Sequence, residues 1–205
     1  MKDKVIFATG NEGKMREIRM ILSDVEIEVL SLKDAGIVLD VEENGSSFAE
    51  NALIKARACA LQTSYPVLAD DSGLEVDYLN KEPGIYSARY MGEDTSYHIK
   101  NQNIIDRLAG VEDEKRTARF VCAIAAVFPG QQEWVTEGVI EGRIGYEEKG
   151  NGGFGYDPIF YVPEFGCTSA EMNAEQKNAT SHRGKALEKM KDVLLSAGIW
   201  KQENA

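Results

Sequence analysis

The sequence predicts an α/β protein whose central β-sheet is mixed and flanked by helices, and three observations lead to this fold class. Short apolar or alternating segments, which are typical of strands, interleave with segments whose apolar residues recur at helical spacing. Several predicted strands follow one another directly, which favours a mixed sheet over a purely parallel one. The length of 205 residues, 43% of them hydrophobic, suits one domain spanning residues 1–205, alone or with a small second lobe.

The first predicted elements alternate between strand and helix. The apolar run Val5–Ala8 predicts a buried strand, and Asn11 is a good N-cap for a helix that follows at once. Glu26–Leu30 predicts the second strand. Ser47 and Glu50 have the spacing of a capping box, so we expect the second helix to begin there.

The later elements include more strands than helices. We expect a short strand at Val67–Ala69 to end in the turn Asp70-Asp71-Ser72-Gly73, and Pro83–Asp94 to form a loop rich in Gly, Pro and Tyr. The remaining predicted elements are a helix capped by Thr95 or Ser96 and ending at Gly110, a central strand at Arg119–Phe128, neighbouring strands at Glu133–Ile140 and Glu141–Tyr146, a strand at Ile159–Val162, a short helix near Ala170–Gln176 and a longer helix at Ser181–Ala197.

Composition argues against several classes of protein. A net charge of −11 leaves no broad basic face for DNA or RNA, and the longest apolar run, Phe120–Phe128, is too short to span a membrane. The three cysteines, Cys59, Cys122 and Cys167, have neither zinc-site spacing nor a disulfide framework. No signal peptide is evident, so we expect a soluble cytoplasmic protein in which local clusters of cations bind anions.

Lys14 is the first unusual cation. It falls in the first turn of the predicted helix after Asn11, where the helix dipole disfavours positive charge. An anion held between Lys14 and the free backbone N–H groups would remove the conflict, so the Thr9–Lys14 turn predicts a phosphate site. The alternative is a surface lysine that extends into water.

Lys55 is the second unusual cation, because it shares the apolar helix face of Phe48. It needs an anionic partner there unless its ammonium group reaches water. Four carboxylates are candidates for a nearby Mg²⁺ platform: Glu42 and Glu43 in the loop before the helix, and Asp70 and Asp71 at the end of the predicted strand. One of these carboxylates could also orient or deprotonate a water molecule, although the composition of Asp70-Asp71-Ser72-Gly73 alone favours an ordinary turn.

Cations also cluster around Ser181, the expected cap of the last helix. His182 and Arg183 lie in its first turn, and Lys177 precedes them, so an anion or an electron-rich ring could dock there. A solvated charged face is the alternative.

A glycine-dense segment, Gly150–Gly155, permits close backbone approach, and Phe154 and Tyr156 add aromatic faces while Asp157 adds an acceptor. This combination suits a flat heterocycle, or else a hairpin whose rings pack in the core. Neither this segment nor the Thr9–Lys14 turn carries a Walker A motif. A nucleoside triphosphate with Mg²⁺ fits all the candidate sites together.

These residues fall in blocks that resemble the inosine triphosphate pyrophosphatases, also called XTP/dITP diphosphatases. The blocks occur in family order over nearly the whole chain, and the one departure noticed is Gln176, where a Glu is common. They are Ala8-Thr9-Gly10-Asn11-Glu12-Gly13-Lys14 with Glu17, Ser47-Phe48-Ala49-Glu50-Asn51-Ala52 with Lys55-Ala56, Asp70-Asp71-Ser72-Gly73-Leu74, Pro83-Gly84-Ile85-Tyr86-Ser87-Ala88-Arg89-Tyr90, Gly153-Phe154-Gly155-Tyr156-Asp157-Pro158 and Ser181-His182-Arg183-Gly184-Lys185-Ala186-Leu187.

The resemblance implies an elongated mixed sheet with two lobes and an active-site cleft between them, dependence on Mg²⁺ and a homodimer. It implies that Glu43 helps hold the metal, that Asp71 acts as general base and possible metal ligand, and that Asp70 supports the site. The residues that it assigns to substrate binding are Thr9, Gly10, Asn11, Glu12, Gly13, Lys14 and Lys55 for the phosphates, Ser72, and then Phe154, Gly155, Tyr156, Asp157, Lys177, His182 and Arg183 for the base and the remaining substrate.

The implied reaction converts a deaminated purine nucleoside triphosphate (ITP, dITP or XTP) and water into the monophosphate and pyrophosphate. Arg183 or His182 would donate hydrogen bonds to a 6-oxo group, whereas the 6-amino group of adenine would oppose these donors with its own hydrogens. Two alternatives stay open. One is a Maf-like pyrophosphatase that prefers pyrimidine or modified bases, and the other is a regulator that binds nucleotides without cleaving them.

Overall fold

A computed structural model of the chain describes residues 2–130 and 132–203. Among them, strands and helices interleave as expected, and four short 3₁₀ turns lie at Asp77–Leu79, Gly84–Tyr86, Asp113–Lys115 and Asp157–Ile159. The strands are β1 (Asp3–Phe7), β2 (Ile27–Ser31), β3 (Val67–Val76), β4 (Thr117–Phe128), β5 (Gln132–Ile144), β6 (Phe160–Val162) and β7 (Cys167–Thr168); the α-helices are α1 (Glu12–Ile21), α2 (Phe48–Ala60), α3 (Tyr97–Arg107), α4 (Ala174–Thr180) and α5 (His182–Ser196).

The strands form one seven-stranded sheet in the order β2-β1-β3-β4-β5-β6-β7. β1 pairs in parallel with both β2 and β3, with Val5 opposite Val29 and Ile6 opposite Val67. β6 instead pairs antiparallel with β5 and β7. The prediction of a mixed sheet flanked by helices is therefore confirmed, with β4 at its centre.

The chain divides into two compact units. The first unit comprises Met1–Asp71, Cys122–Gly138 and His182–Ala205, and the second comprises Ser72–Val121 and Val139–Ser181. Whether they are two lobes of a single domain stays a prediction. In the described part of the chain, no helix has both the length and the apolar character needed to cross a membrane.

The core of the first unit lies where α1 and α5 meet the sheet. α1 buries Met15 and Ile18, and α5 buries Leu187 and Met190 in the same apolar cluster. Gly138 of β5 lets α5 approach closely, because a Cβ atom built there would lie 2.1 Å from the carbonyl oxygen of His182. A side chain at this position would therefore displace the beginning of α5.

The core of the second unit is built around α3 and the glycine-dense segment. Ile104 and Leu108 of the α3 region pack with Phe160 and with Tyr156, which is only 4% exposed. The rings of Phe120 and Phe160 are 4.4 Å apart between centroids.

Two predicted strand boundaries are wrong. β3 continues through Asp70-Asp71-Ser72-Gly73, which the sequence predicts as a turn, because Lys14 and Arg183 compensate the buried Asp70 carboxylate within the strand. β5 is one strand where two were expected. Gly138 and Gly142 are the reason: each allows close approach of another backbone, to His182 and Tyr161 respectively, and neither forms a turn.

The short helix α4 lies four residues later than predicted. The backbone of Ala170, expected to begin it, instead bonds to Asp157 and Gly152. Asn173 caps the observed helix, and Gln176 completes a capping box with it. Glutamine serves this role as well as glutamate, so the departure from the family pattern at this position preserves the cap.

Candidate active site

The turn before α1 is built largely as the sequence predicts. Asn11 caps the helix, and its Oδ1 accepts hydrogen bonds from the backbone N–H groups of Gly13 (2.8 Å) and Lys14 (3.1 Å). The backbone N–H of Asn11 donates to Thr9 Oγ1 at 3.2 Å. Gly10 and Glu12 are exposed, and a Cβ atom at Gly10 would meet no described atom within 4 Å. The turn is thus ordered by its own side chains and open on its outer side.

A buried ion network lies behind this turn. Lys14 Nζ donates to Asp70 Oδ2 at 2.8 Å, and Arg183 Nε donates to the same oxygen at 3.3 Å. Arg183 also donates through Nη1 to Glu17 Oε2 at 2.8 Å. Burial alone would raise the pKa of Asp70, but the charges of Lys14 and Arg183 outweigh it and hold that pKa far below its usual range.

The network accounts for two of the three residues singled out by the helix-dipole argument, Lys14 and Arg183. Asp70 is the anion beside Lys14, and Asp70 with Glu17 surrounds Arg183, which is only 3% exposed. Burial would lower the pKa of Arg183, and the two carboxylates raise it instead. A contact between Arg183 and a base therefore stays a prediction, whereas its hold on Asp70 is a feature of the structure.

A second group of charges surrounds Lys55 of α2. Its Nζ lies 2.8 Å from Glu43 Oε1 and donates to the backbone carbonyl of Asp70 at 2.9 Å. Burial would lower the pKa of Lys55, but Asp70 and Glu43 outweigh it and raise that pKa. The ammonium is therefore a fixed positive charge that faces carboxylates, as one reading of the sequence predicts.

Asp71 lies in the same group but in a different electrostatic state from Asp70. Burial raises its pKa to about 6, Lys55 opposes this shift, and Glu43 adds to it. The amide of Asn51 faces Asp71 and lowers the pKa, while Asn51 Oδ1 accepts from Gly45 N at 2.8 Å. Two adjacent aspartates thus have opposite pKa shifts, which is typical of sites where one carboxylate handles protons and the other is structural.

The residues present fit a magnesium ion. The charge of Glu43 contributes to the raised pKa of Asp71, and a bound cation would relieve this repulsion. No group of three or more His, Cys, Asp or Glu side chains that could hold a metal occurs among the residues described. Two carboxylates suffice for Mg²⁺, which takes its remaining ligands from water and substrate phosphates.

A separate candidate site lies in the second unit. Asp157 Oδ2 accepts from the backbone N–H of Phe154 at 2.8 Å and from Lys177 Nζ at 2.5 Å. Lys177 Nζ also lies 5.6 Å from the centroid of the Phe154 ring, which is 49% exposed. Gly153 makes room for the ion pair, because a Cβ atom there would lie 2.1 Å from Asp157 Oδ2.

Of the two predicted aromatic rings, Phe154 is the exposed one. Tyr156 is buried, donates its hydroxyl to the Ser87 carbonyl at 2.7 Å and meets Tyr97 edge-to-face at 5.3 Å. Gly155 packs against Tyr97, whose ring would lie 3.5 Å from a Cβ atom there. Tyr156 therefore anchors the segment that presents Phe154.

Two further predicted site residues lie next to residues already described. Ser72 follows Asp71 in β3, and His182 is the first residue of α5; both are partly exposed. Glu17, Asn51 and Ser169 also interact with the predicted site residues, although their roles were not predicted from the sequence. Glu17 lies three residues after Lys14 on one helix face, and this spacing is a usable signal. Ser169 has no such signal, because its contact with Asp157 depends on the fold.

The chain matches the Ham1 family over residues 5–193. A relative from Clostridium perfringens, described as a dITP/XTP pyrophosphatase, is 48% identical over 197 residues, which cover 93% of this chain and 97% of the relative.

Solved structures of Ham1 proteins are also similar to this chain. A HAM1 protein from Coxiella burnetii has a TM-score of 0.87 and 42% identity, covering 95% of this chain and 99% of that chain. The Ham1 protein of Staphylococcus aureus has a TM-score of 0.86 and 39% identity, covering 95% of this chain and 100% of that chain.

Proposed function

The chain belongs to the Ham1 family, and from this premise we propose that it hydrolyses the deaminated purine nucleotides ITP, dITP and XTP to the monophosphate and pyrophosphate. The names of the relatives support the substrate class. The observation that carries the proposal is the buried Asp71 carboxyl, with its pKa raised to about 6, beside Lys55 and Glu43. A site that only binds nucleotides needs no such proton acceptor.

The proposed chemistry is a water attack on the α-phosphorus. Asp71 accepts a proton from the water as its oxygen bonds to phosphorus, and the bond from the α-phosphorus to the bridging oxygen breaks to release pyrophosphate. Glu43 and Asp71 would hold Mg²⁺, which when bound would neutralise charge on the phosphate oxygens. Because no covalent enzyme intermediate is required, positioning and electrostatics supply most of the acceleration.

Lys14 and Lys55 are the proposed phosphate ligands. Asp70 orients both, through its side chain for Lys14 and through its backbone carbonyl for Lys55. The exposed turn around Gly10 leaves room for a phosphate at the beginning of α1, where the helix dipole favours an anion. Preorganised cations of this kind do not have to rearrange as charge develops on the leaving pyrophosphate.

The second unit supplies the proposed base site. A purine stacked on Phe154 would meet Lys177, whose ammonium has three donors and so can hold Asp157 and still donate to a 6-oxo group. The 6-amino group of adenine would oppose such donors. Arg183 and His182 are further proposed contacts to the base.

A substrate panel tests this function. Purified protein with Mg²⁺ should release pyrophosphate from ITP, dITP and XTP, with kcat/KM about 10⁴-fold above that for ATP. EDTA should abolish the release. Faster cleavage of dTTP or UTP would favour the Maf-like alternative, and nucleotide binding without any pyrophosphate would favour a regulator.

We also propose a homodimer, which the resemblance supports. Light scattering should then give twice the chain mass of 22.6 kDa. A mass of one chain at micromolar concentration would contradict it.

Replacing Lys55 with methionine should lower kcat/KM for ITP by about 10²-fold, because a phosphate-directed cation is lost. The protein should still fold, since methionine suits the apolar helix face and the Glu43 side chain, 26% exposed, can be solvated. Lys191→Met is the matched control: Lys191 is also largely buried, and pairs with Glu188 and Asp24 away from the site. Loss of stability with full activity in Lys55→Met would show that Lys55 is purely structural.

A further inference from the structure

We infer that Ser169 is a positioning residue for base recognition, because it orients Asp157 and through it Lys177. The inference rests on the proposed function and concerns the second unit alone. Ser169 Oγ donates to Asp157 Oδ1 at 2.9 Å, and both residues are buried, at 7% and 5% exposed. Nothing in the sequence around Ser169 indicates this contact.

The contacts of Asp157 divide between its two carboxylate oxygens. Oδ2 accepts from Phe154 N and from Lys177 Nζ, and Oδ1 accepts from Ser169. A carboxylate held at one oxygen alone can rotate about its Cβ–Cγ bond, whereas donors on both oxygens fix the plane of the group. Ser169 therefore determines the direction from which Lys177 is held.

Ser169 can do this because its own backbone is fixed. Its N–H donates to the carbonyl of Phe160 at 2.8 Å, immediately after β7. The next residue, Ala170, donates its N–H to the Asp157 carbonyl at 3.3 Å and accepts from Gly152 N at 3.0 Å. The same two-residue segment thus holds the backbone of Asp157, its side chain and the glycine-dense segment that carries Phe154.

The consequence concerns the base and leaves the phosphates unaffected. If Ser169 Oγ is removed, Asp157 keeps its charge but loses one orienting donor within a buried setting. Lys177 then samples several positions relative to the Phe154 ring. The first unit, with Lys14 and Lys55, is unchanged.

The test separates base binding from phosphate binding. Ser169→Ala should raise KM for ITP about tenfold and change kcat by no more than about twofold. The inhibition constant of inorganic tripolyphosphate, a probe that has no base, should stay within about twofold of the parent value. The decisive readout is the ratio of KM for ITP to the inhibition constant of tripolyphosphate, because a general loss of structure would raise both constants.

Two further variants keep the test independent of folding. Ser169→Thr retains the hydroxyl and should restore most of the affinity for ITP, while Ser169→Cys retains the volume, donates weakly and should behave like the alanine variant. Thr168→Val is the matched control, because its buried hydroxyl donates to the Lys149 carbonyl and not to Asp157. An unchanged KM for ITP in both the alanine and the cysteine variants would overturn the inference.

Failure of this inference and failure of the proposed function are distinguishable. If the unaltered protein releases no pyrophosphate from ITP, the proposed function fails before any variant is compared. If it does release pyrophosphate and Ser169→Ala shifts ITP and tripolyphosphate equally, the function stands and the positioning role of Ser169 is wrong.

Discussion

Replacing Asp71 with asparagine should lower kcat for ITP by about 10³-fold or more, while the affinity for ITP changes by only a few-fold. Asparagine preserves the shape of the side chain and its contact with Asn51 but cannot accept a proton from water. The pKa of about 6 matters here for two reasons. At neutral pH most of the Asp71 carboxyl is unprotonated, and it is still basic enough to take a proton from the attacking water. Single-turnover pyrophosphate release and calorimetric binding of ITP measure the two quantities.

The stability of the same variant provides a control on this result. Burial in the folded state raises the pKa of Asp71 to about 6, so the folded state favours the protonated form. The charged form therefore costs stability progressively as the pH rises from about 4 to about 6. Asp71→Asn carries no such cost, and its melting temperature at pH 7 should be no lower than that of the parent protein.

Two outcomes would contradict the general-base role. A near-normal kcat in Asp71→Asn would show that another group accepts the proton. A parallel loss of kcat and of ITP affinity would assign Asp71 to binding, through the metal that it is proposed to share with Glu43.

Local signals in the sequence were sufficient wherever a structure depends on near neighbours. Asn11 caps α1 and Ser96 caps α3 through side-chain bonds to residues two or three positions ahead. The predicted capping box at α2 forms only in part: Ser47 accepts from Glu50 N, but the Glu50 carboxylate bonds to Ser46. The predicted positions of the helices therefore agree with the observed ones, except for α4.

The sequence was sufficient to predict most of the residues that belong to the candidate site, but not which of them contact one another. Lys14 and Arg183 were identified as unusual because of the helix dipole, a local effect. Their common partner, Asp70, lies 56 and 113 residues away along the chain, so no spacing rule could pair them. For the same reason the strand through Asp70 and Asp71 was predicted as a turn: the compensating charges come from distant helices.

Replacing Asp70 with asparagine should have the opposite effect to Asp71→Asn: we expect a loss of stability of about 3–5 kcal/mol. The substitution leaves the buried Arg183 and the partly buried Lys14 without their common carboxylate. Asp70 is 1% exposed and Arg183 is 3% exposed, so little water can replace the lost contacts. Urea denaturation of the parent protein and of Asp70→Asn at pH 7 measures the difference in the free energy of unfolding. Asp77→Asn is the matched control: Asp77 pairs with Arg119 at a half-buried position, 35% exposed, and its loss should cost about 1 kcal/mol or less.

The pH dependence of that difference distinguishes an ionic role from a packing role for Asp70. Because folding lowers the pKa of Asp70, its stabilisation is complete above the pKa of the unfolded chain, about 3.9, and is lost as the pH falls through the folded-state value. The difference in the free energy of unfolding between the parent protein and Asp70→Asn should therefore be largest near neutral pH and should decrease steadily below about pH 4. If this difference were the same at pH 7 and pH 3, the charge of the carboxylate would not be what holds Lys14 and Arg183. The ion network would then be a consequence of the fold and not one of its causes.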